Sequence, residues 1–82
     1  MRESTATVVG AGEHTAEELL SWLVEGRRVV VKTTILGNSA EATLRFDGET
    51  YYCDTPTTLH KHRKKADMMA CLEKHGYTRQ DE

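Results

Sequence analysis

Hydrophobic and polar residues alternate between Val29 and Cys53 with the period of two that is typical of β-strands. Two short segments, Gly37-Asn38 and Asp47-Gly48, interrupt this alternation. Both are common in tight hairpin turns, because glycine, asparagine and aspartate tolerate the positive φ that such turns need. The pattern therefore predicts three consecutive antiparallel strands joined by two-residue turns.

The two turns also predict which residues lie opposite each other in the sheet. Leu44 is expected to pair with Tyr51 on one side and with Val31 on the other. In this register the apolar residues share one face, which is expected to form the core with Leu44 at its centre. The residues on this face are Val29, Val31, Ile35, Ala40, Ala42, Leu44, Phe46, Tyr51 and Cys53.

A first helix is predicted to begin at Thr15. Residues 15–18 have the sequence of a capping box, in which the side chains of Thr15 and Glu18 satisfy free backbone amides. Apolar residues then recur at the spacing of one helix face, and Gly26 is a typical helix stop. Trp22 lies beside this face and is expected to be partly exposed.

A second helix is predicted from about Leu59 to His75, with Gly76 as its stop. Pro56 excludes a helix in the preceding segment, and either of the two threonines that follow it offers an N-terminal cap. The predicted apolar side of this helix consists of Ala66, Met69, Ala70 and Leu72, flanked by Met68 and Cys71.

Together these elements predict one domain of the α+β class, spanning residues 1–82. A three-stranded antiparallel meander, with an optional fourth edge strand at residues 5–9, carries both helices on its single apolar face. The predicted order of elements is (β)αβββα. Residues 1–4 and 78–82 are expected to be flexible.

Charge is distributed unevenly along the chain. The net charge of -2 excludes a generally polycationic protein that coats nucleic acid. Residues 55–82, by contrast, contain six lysines and arginines against four acidic residues. The sequence shows no apolar run long enough for a membrane helix and no signal peptide, so we expect a cytoplasmic protein.

The most basic segment, residues 60–65, falls on the first turns of the predicted second helix. Free backbone amides and the helix dipole already favour anions there, so added cations indicate a phosphate site. The leading hypothesis is a small non-catalytic, regulatory protein that contacts the phosphates of DNA or RNA. Its candidate nucleic-acid-binding residues are Lys61, His62, Arg63, Lys64 and Lys65.

The order helix, three-stranded meander, helix resembles that of the double-stranded-RNA-binding domain. That family opens its second helix with a K-K-x-A-K-x-x-A-A pattern, and residues 63–71 are similar to it, with Asp67 in place of the third lysine. The resemblance covers residues 15–77 and implies that Arg63 and Lys64 hold phosphates. The capped acidic helix and the Asp-Gly turn are also similar to those of small haloarchaeal proteins, a likeness that implies no activity.

The polar face of the predicted sheet supports a second hypothesis, a protein–protein interaction module or a homodimer. No helix remains to cover this face, and a tyrosine beside an arginine is typical of interface anchors. The candidate partner-binding residues are Arg28, Val30, Lys32, Arg45 and Tyr52.

Metal sites and catalytic sites are not expected. Cys53, His60, His62 and Cys71 are residue types that bind zinc, but they include no Cys-x-x-Cys pair. On a helix, moreover, His60 and His62 would point in different directions. Both cysteines are expected to be free, buried thiols, and neither carries the signature of a catalytic nucleophile. The chain is therefore interpreted as a non-enzyme without a metal or cofactor.

Overall fold

In the part of the chain that the structure describes, five strands form one mixed sheet, and two helices pack on one of its faces. The computed structural model describes residues 6–79, so residues 1–5 and 80–82 lie outside the described part of the chain. The strands follow one another across the sheet in chain order. The elements are β1 (Thr7–Gly10), α1 (Ala16–Val24), β2 (Val29–Ile35), β3 (Asn38–Phe46), β4 (Tyr51–Asp54), β5 (Leu59–His62) and α2 (Lys65–Lys74).

The fold is α+β, as predicted, and it includes the N-terminal edge strand. β1 pairs in parallel with β2, with Val9 opposite Val31. Parallel neighbours cannot be joined by a tight turn, and α1 supplies the required crossover. Val9 is buried against the helices, whereas Val8 lies on the other face and is 56% exposed.

The first helix has the N-terminal cap that the sequence predicts. The Thr15 hydroxyl accepts a hydrogen bond from the Glu18 amide, and the Glu18 carboxylate accepts one from the Thr15 amide. At the other end, Gly26 has φ +98°, and its amide donates to the Leu23 carbonyl. This left-handed glycine ends α1 where it was expected to end. The buried residues of the helix are Ala16, Leu19, Leu20 and Leu23.

The third strand lies two residues away from its predicted register against both neighbours. Leu44 pairs with Val29 in β2 and with Cys53 in β4. Its predicted partners, Val31 and Tyr51, pair with other residues of β3. A displacement of two residues keeps every side chain on the same face, because side chains alternate with a period of two. The predicted apolar face is therefore confirmed where side chains are described, although the predicted cross-strand pairs are wrong.

The turn between β3 and β4 explains the displacement of β3 relative to β4. Gly48, with φ +102°, occupies the first position of the turn tip and not the second. The Asp47 amide donates to the Thr50 carbonyl, which closes the turn around Gly48 and Glu49. A glycine at the first tip position is the arrangement of a type II′ turn, so the predicted tip at Asp47-Gly48 is wrong by one residue.

The turn between β2 and β3 is also one residue away from its predicted position. Its tip consists of Leu36 and Gly37, with φ of 53° and 82°. Asn38, which was expected in the turn, pairs with Ile35 as part of the ladder. Positive φ at both tip residues is typical of a type I′ turn, here with leucine at a position that suits asparagine better.

The largest correction concerns residues 59–64, which were predicted to open the second helix. Leu59–His62 is strand β5, which pairs antiparallel with β4. In the connecting turn the Thr55 amide donates to the Thr58 carbonyl, and the Thr58 amide donates to the Thr55 hydroxyl. The threonines near Pro56 therefore close a hairpin instead of capping a helix. Pairing with β5 satisfies backbone groups of β4 that a sheet edge would leave unpaired.

The second helix begins at Lys65, later than predicted, and buries a different face. Met68 and Leu72 are fully buried, whereas Ala66 and Ala70, which were expected to face the core, are exposed. Burying the larger side chains removes more apolar area from water than burying alanines would. The side of α2 that carries Met68 and Leu72 therefore faces the core.

The chain after α2 folds back onto the start of the domain. The Tyr77 amide donates to the Leu72 carbonyl, and the tyrosine ring is buried. Thr78 is also buried, and the Arg79 amide donates a 2.7 Å hydrogen bond to the His14 carbonyl. Thr78 and Arg79 were expected to be flexible, but these contacts hold them in place. Residues 80–82 lie outside the described part of the chain.

One hydrophobic core joins the sheet to both helices. Leu44 is fully buried, as predicted, and Trp22 is partly buried at the edge of the core. Each fully buried aliphatic side chain contributes about 1.5–3 kcal/mol relative to exposure, so the core holds both helices on the same face. The largest fully buried residues are Leu19, Leu20, Leu23, Leu44, Met68, Leu72, Val29, Val31 and Cys53.

Neither helix in residues 6–79 has both the length and the apolar character needed to cross a membrane.

Candidate functional site

The basic segment that was predicted to bind phosphates spans the junction between β5 and α2. Lys61 lies on the outer face of the sheet, away from the helices, and His62 lies on the inner face opposite the buried Tyr51. Arg63 and Lys64 form the bend that follows, and Lys65 is the first residue of α2. The prediction of cations at a helix start is therefore confirmed for the last part of the segment. It is wrong for Lys61 and His62, which belong to a strand.

The strand placement of Lys61 brings it beside two residues from the middle of the chain. Lys61 pairs with Tyr52, and Tyr52 pairs with Arg45, so the three form one row on the outer face. The Arg45 guanidinium carbon is 4.1 Å from the centroid of the Tyr52 ring, which is a cation–π contact. Neighbouring strands are roughly 5 Å apart, so the α-carbons of Arg45 and Lys61 lie roughly 10 Å apart across the sheet.

Several parts of the chain bring cations to the same end of the sheet. β3 and β5 both finish at this end, and Arg28 directly precedes β2, which starts there. All of these cations are exposed. We call them the basic end, which consists of Arg28, Arg45, Lys61, Arg63, Lys64 and Lys65.

No residue of the basic end has an ion-pair partner within residues 6–79. The ion pairs found there join His14 to Glu18, Arg27 to Glu25, and Lys32 to Glu41. The turn between β3 and β4 also lies at this end and carries Asp47 and Glu49. Both oxygens of Asp47 already accept hydrogen bonds from its own hairpin. The exposed cations of the basic end are therefore available to an external anion.

The first turn of α2 adds backbone donors to these cations. Lys64 is the N-cap residue, and no side chain within the described residues caps the helix. A cation at this position opposes the helix dipole, and Asp67 in the first turn offsets it only in part. The junction is therefore better arranged for binding an anion than for stabilising the helix.

The residues of the partner-binding hypothesis lie on or beside the outer face of the sheet. Arg28, Lys32 and Arg45 are exposed, and Val30 and Tyr52 are partly buried. The row of paired residues that passes through Val30 ends at Val8 on one edge and Leu59 on the other. These two edge residues are 56% and 46% exposed, so this row adds apolar surface to an otherwise charged face.

A groove of about 320 Å³ lies on the other side of β5, against α2. We call it the histidine groove, because His60, His62 and His75 line it together with Asp67 and Cys71. A second hollow of about 280 Å³ is lined by the 55–58 turn and Tyr77 and shares two of the histidines. Sequence reasoning missed this groove, because a helix in place of β5 separates His60 from His62.

The three histidine rings of the groove are close to one another and to Tyr77, which lines the neighbouring hollow. The Tyr77 and His75 ring centroids are 5.6 Å apart, those of His75 and His60 are 5.1 Å apart, and those of His60 and His62 are 6.4 Å apart. His75 Nδ1 lies 2.8 Å from the Cys71 carbonyl oxygen. A carbonyl oxygen can only accept, so Nδ1 is the donor, and Nε2 of the neutral ring is then an acceptor. His62 Nε2 is buried and has no hydrogen-bond partner within residues 6–79.

The four residues considered for zinc come from neighbouring positions in the fold. Cys53 pairs with His60 across β4 and β5, and His62 shares a face of β5 with His60. The expectation that the two histidines point apart is therefore wrong, because they lie on a strand. Within residues 6–79, however, no three histidine, cysteine or acidic side chains are grouped so that they could hold a metal ion.

Both cysteines are free and buried. Burial is the main cause that raises the pKa of the Cys53 thiol to about 12, and the neighbouring Cys71 thiol adds to it. Burial likewise raises the pKa of Cys71. Because the thiolate is the reactive form, both side chains are packing residues of low reactivity at neutral pH.

Comparison with known proteins identifies a family. Residues 3–80 match the model of a family of unknown function, DUF8001. The match covers most of the chain, which therefore belongs to this family. No curated protein and no solved structure matches the chain.

Proposed function

We propose that this DUF8001 member is a small non-catalytic, regulatory protein that binds nucleic-acid phosphates through its basic end. The observation that supports the proposal is the gathering of exposed cations from β3, β5, the β5–α2 bend and the start of α2. None of them has an ion-pair partner within residues 6–79. Unpaired cations that converge on one end suit a polyanion, because each can neutralise a phosphate.

The arrangement also favours contact with more than one phosphate. Lys61 and Arg45 lie on the outer face, while Lys64 and Lys65 lie at the free amides of α2. A single small anion would contact only one of these two groups, since the sheet edge lies between them. A strand of nucleic acid presents repeated charges along its length and can contact both groups at once.

A charge-removal experiment tests this proposal. Changing Arg63 and Lys64 to glutamine removes two charges while keeping side-chain length close to the original, and neither residue lies inside α2. Binding to labelled DNA and RNA, measured by fluorescence anisotropy at several salt concentrations, should weaken for every sequence. The slope of log affinity against log salt should fall by roughly 1.5, since each lost phosphate contact contributes about 0.7 to 0.9.

The matched control removes one lysine and one arginine that lie outside the basic end. Lys32→Gln with Arg79→Gln gives the same change in net charge, and Lys32 lies on β2 away from the basic end. Urea unfolding of both variants checks that the fold is retained. An equal loss of binding in the control would show that binding depends on net charge alone and not on the basic end. Absence of binding by the native protein at low salt would contradict the proposal.

The second candidate function is a protein–protein or homodimer contact through the outer face. The exposed Val8 and Leu59, in the row of Val30, favour it, because apolar residues at both sheet edges would be covered by a flat partner. Sedimentation of the native chain and of Val8→Thr with Leu59→Thr tests the homodimer. A dimer that the double variant abolishes supports this function, and a monomer at all concentrations rejects the homodimer.

A further inference from the structure

We infer that the histidine groove binds a base of a single-stranded nucleic acid whose phosphates lie on the basic end. The inference rests on the proposed function and names its substrate as a single strand. The two surfaces are continuous, because His62 in the groove wall is followed directly by Arg63 of the basic end. Asp67, another groove residue, lies in the first turn of α2, one turn or less from Lys65. A nucleotide at this junction can place its phosphate on the cations and its base in the groove.

The histidine rings of the groove are a surface on which a base can stack. The His60 ring centroid is 5.1 Å from that of His75 and 6.4 Å from that of His62, and the His60 and His62 rings are nearly parallel. Proteins that bind single strands use flat side chains such as histidine and tyrosine for this purpose, and each stacked base contributes about 1–3 kcal/mol. The next ring, Tyr77, is buried in the core, so the rings that line the groove are those of His60, His62 and His75.

The groove also offers hydrogen-bonding atoms for the edge of a base. His62 Nε2 is buried without a partner in the described residues, and an unsatisfied buried polar atom is unfavourable unless a ligand or water completes it. His75 Nε2 is available as an acceptor, because Nδ1 is held by the Cys71 carbonyl. The Asp67 carboxylate lines the same space. These three side chains line the same groove and can form hydrogen bonds with the edge of a base.

The dimensions of the groove select a base that has left the helical stack. At about 320 Å³ the groove is at the lower end of the range of ligand pockets, which suits a ligand of about the size of one base. A base in a duplex is stacked and paired, so its faces cannot reach the histidines. Lys74 lines the groove as well and adds a cation for the phosphate of the next nucleotide.

The test compares strands and duplexes on the full chain. Anisotropy is measured with a short labelled oligoadenosine strand, as DNA and as RNA, and with the matching DNA duplex. The native protein should prefer the strands. His60→Ala should lower strand affinity by roughly 5- to 150-fold, which is the loss of one stacked base, while duplex affinity and the salt slope stay unchanged.

Two matched variants separate stacking from other effects. His60→Phe keeps a flat ring and should retain most of the strand affinity. His14→Ala removes a histidine that contacts Trp22 outside the groove, and it should leave binding unchanged. Native-like unfolding transitions show that each variant is folded. Equal native affinity for strand and duplex, or a His60→Ala variant with full strand affinity, would overturn the inference.

The charge-removal experiment distinguishes failure of the groove inference from failure of the proposed function. If Arg63→Gln with Lys64→Gln weakens binding while His60→Ala does not, the basic end binds phosphates and the groove has no part in it. If adenosine monophosphate alone binds as tightly as the strand, the ligand is a free nucleotide and the single-strand assignment is wrong.

A measurement on the native protein covers the case in which His60→Ala does not fold. The ring proton resonances of His60, His62 and His75 should shift when the oligoadenosine strand is added, because a stacked base changes their magnetic environment. The His14 resonance is the internal control and should not move. Shifts confined to the lysines and arginines of the basic end would overturn the inference.

Discussion

The Tyr52 hydroxyl donates a 2.8 Å hydrogen bond to Asp47 Oδ2, across the hairpin that joins β3 to β4. The other oxygen of the same carboxylate accepts hydrogen bonds from the amides of Thr50 and Glu49, both 2.8 Å long. The Thr50 amide is the main cause that lowers the pKa of Asp47 to about 2, followed by the Glu49 amide and the Tyr52 hydroxyl. The hydrogen bond to Asp47 also raises the pKa of Tyr52. One carboxylate thus connects the turn to the row of Arg45 and Lys61 on the outer face.

The first prediction is that Asp47→Ala lowers stability at neutral pH and weakens its dependence on acid. The folded-state pKa of about 2 lies below the ordinary value of 3.8, so the ionised carboxylate stabilises the folded state. This contribution is fully present above about pH 4 and is lost as the pH falls towards 2. Urea unfolding between pH 7 and pH 2 measures the free energy of unfolding over this window.

The control for this prediction is Glu49→Ala, which removes the exposed carboxylate of the same turn. The Glu49 carboxylate accepts no hydrogen bond within the described residues, while its amide, which the change leaves in place, still donates to Asp47. This variant should keep the native acid dependence. The same acid dependence in Asp47→Ala as in the native protein would show that the hydrogen bonds of this turn do not stabilise the fold.

The second prediction is that Leu36→Asn stabilises the protein by about 1 kcal/mol. Leu36 has φ 53°, a left-handed conformation that costs a residue with a β-carbon about 1–2 kcal/mol and that asparagine tolerates better. Its side chain is 95% exposed, so the change removes no core contact. Leu36→Ala keeps the backbone cost and should change the free energy of unfolding by less than about 0.5 kcal/mol. An asparagine variant no more stable than the alanine variant would contradict the turn geometry.

The third prediction concerns the centre of the core. Leu44→Ala should reduce the free energy of unfolding by about 2–5 kcal/mol, because it removes a fully buried side chain and leaves a cavity between the sheet and the helices. Glu41→Ala, on the exposed face of the same strand, should change it by less than about 0.5 kcal/mol. Urea unfolding followed by circular dichroism measures both values, and a similar small loss in the two variants would place Leu44 outside the core.

The fourth prediction is that the thiols resist alkylation while the protein is folded. Cys53 is fully buried, and its pKa of about 12 leaves almost no thiolate at pH 8. Cys71 is buried at the groove wall, and its pKa is raised as well. Mass spectrometry after iodoacetamide treatment should show no modification in buffer and two modified cysteines in urea. Rapid modification of Cys71 in buffer would show that α2 opens from the sheet.

The first helix and the apolar face of the sheet could be predicted because both depend on residues that are close in sequence. The Thr15 cap and the Gly26 stop each involve hydrogen bonds over three or four residues. Side chains along a strand alternate between the two faces of the sheet, so the apolar face is the same in every register that differs by two residues. Leu44 is therefore buried even though its predicted partners are wrong.

The candidate site could be predicted only in part, because its residues come together through long-range pairing. The run of cations was visible in the sequence, and Lys64 and Lys65 do open a helix. Lys61 lies in the same row as Arg45 only because residues 59–62 form the edge strand. The composition of this segment, one leucine, two histidines and one lysine, does not predict a strand. His75 enters the groove for the same reason, since nothing in its local sequence connects it to β5.

The sequence by itself determined a capped first helix, three alternating strands and a basic segment, because helix caps, side-chain period and charge are local properties. Only the tertiary structure decided the register of β3, since two registers that differ by two residues bury the same side chains and differ in which turn hydrogen bonds form. Only the tertiary structure decided that residues 59–62 are a strand, because the backbone hydrogen bonds of this segment are made with β4 and not within the segment. That single choice places Lys61 on the outer face of β5 and places His60 and His62 on its inner face, where they line the histidine groove.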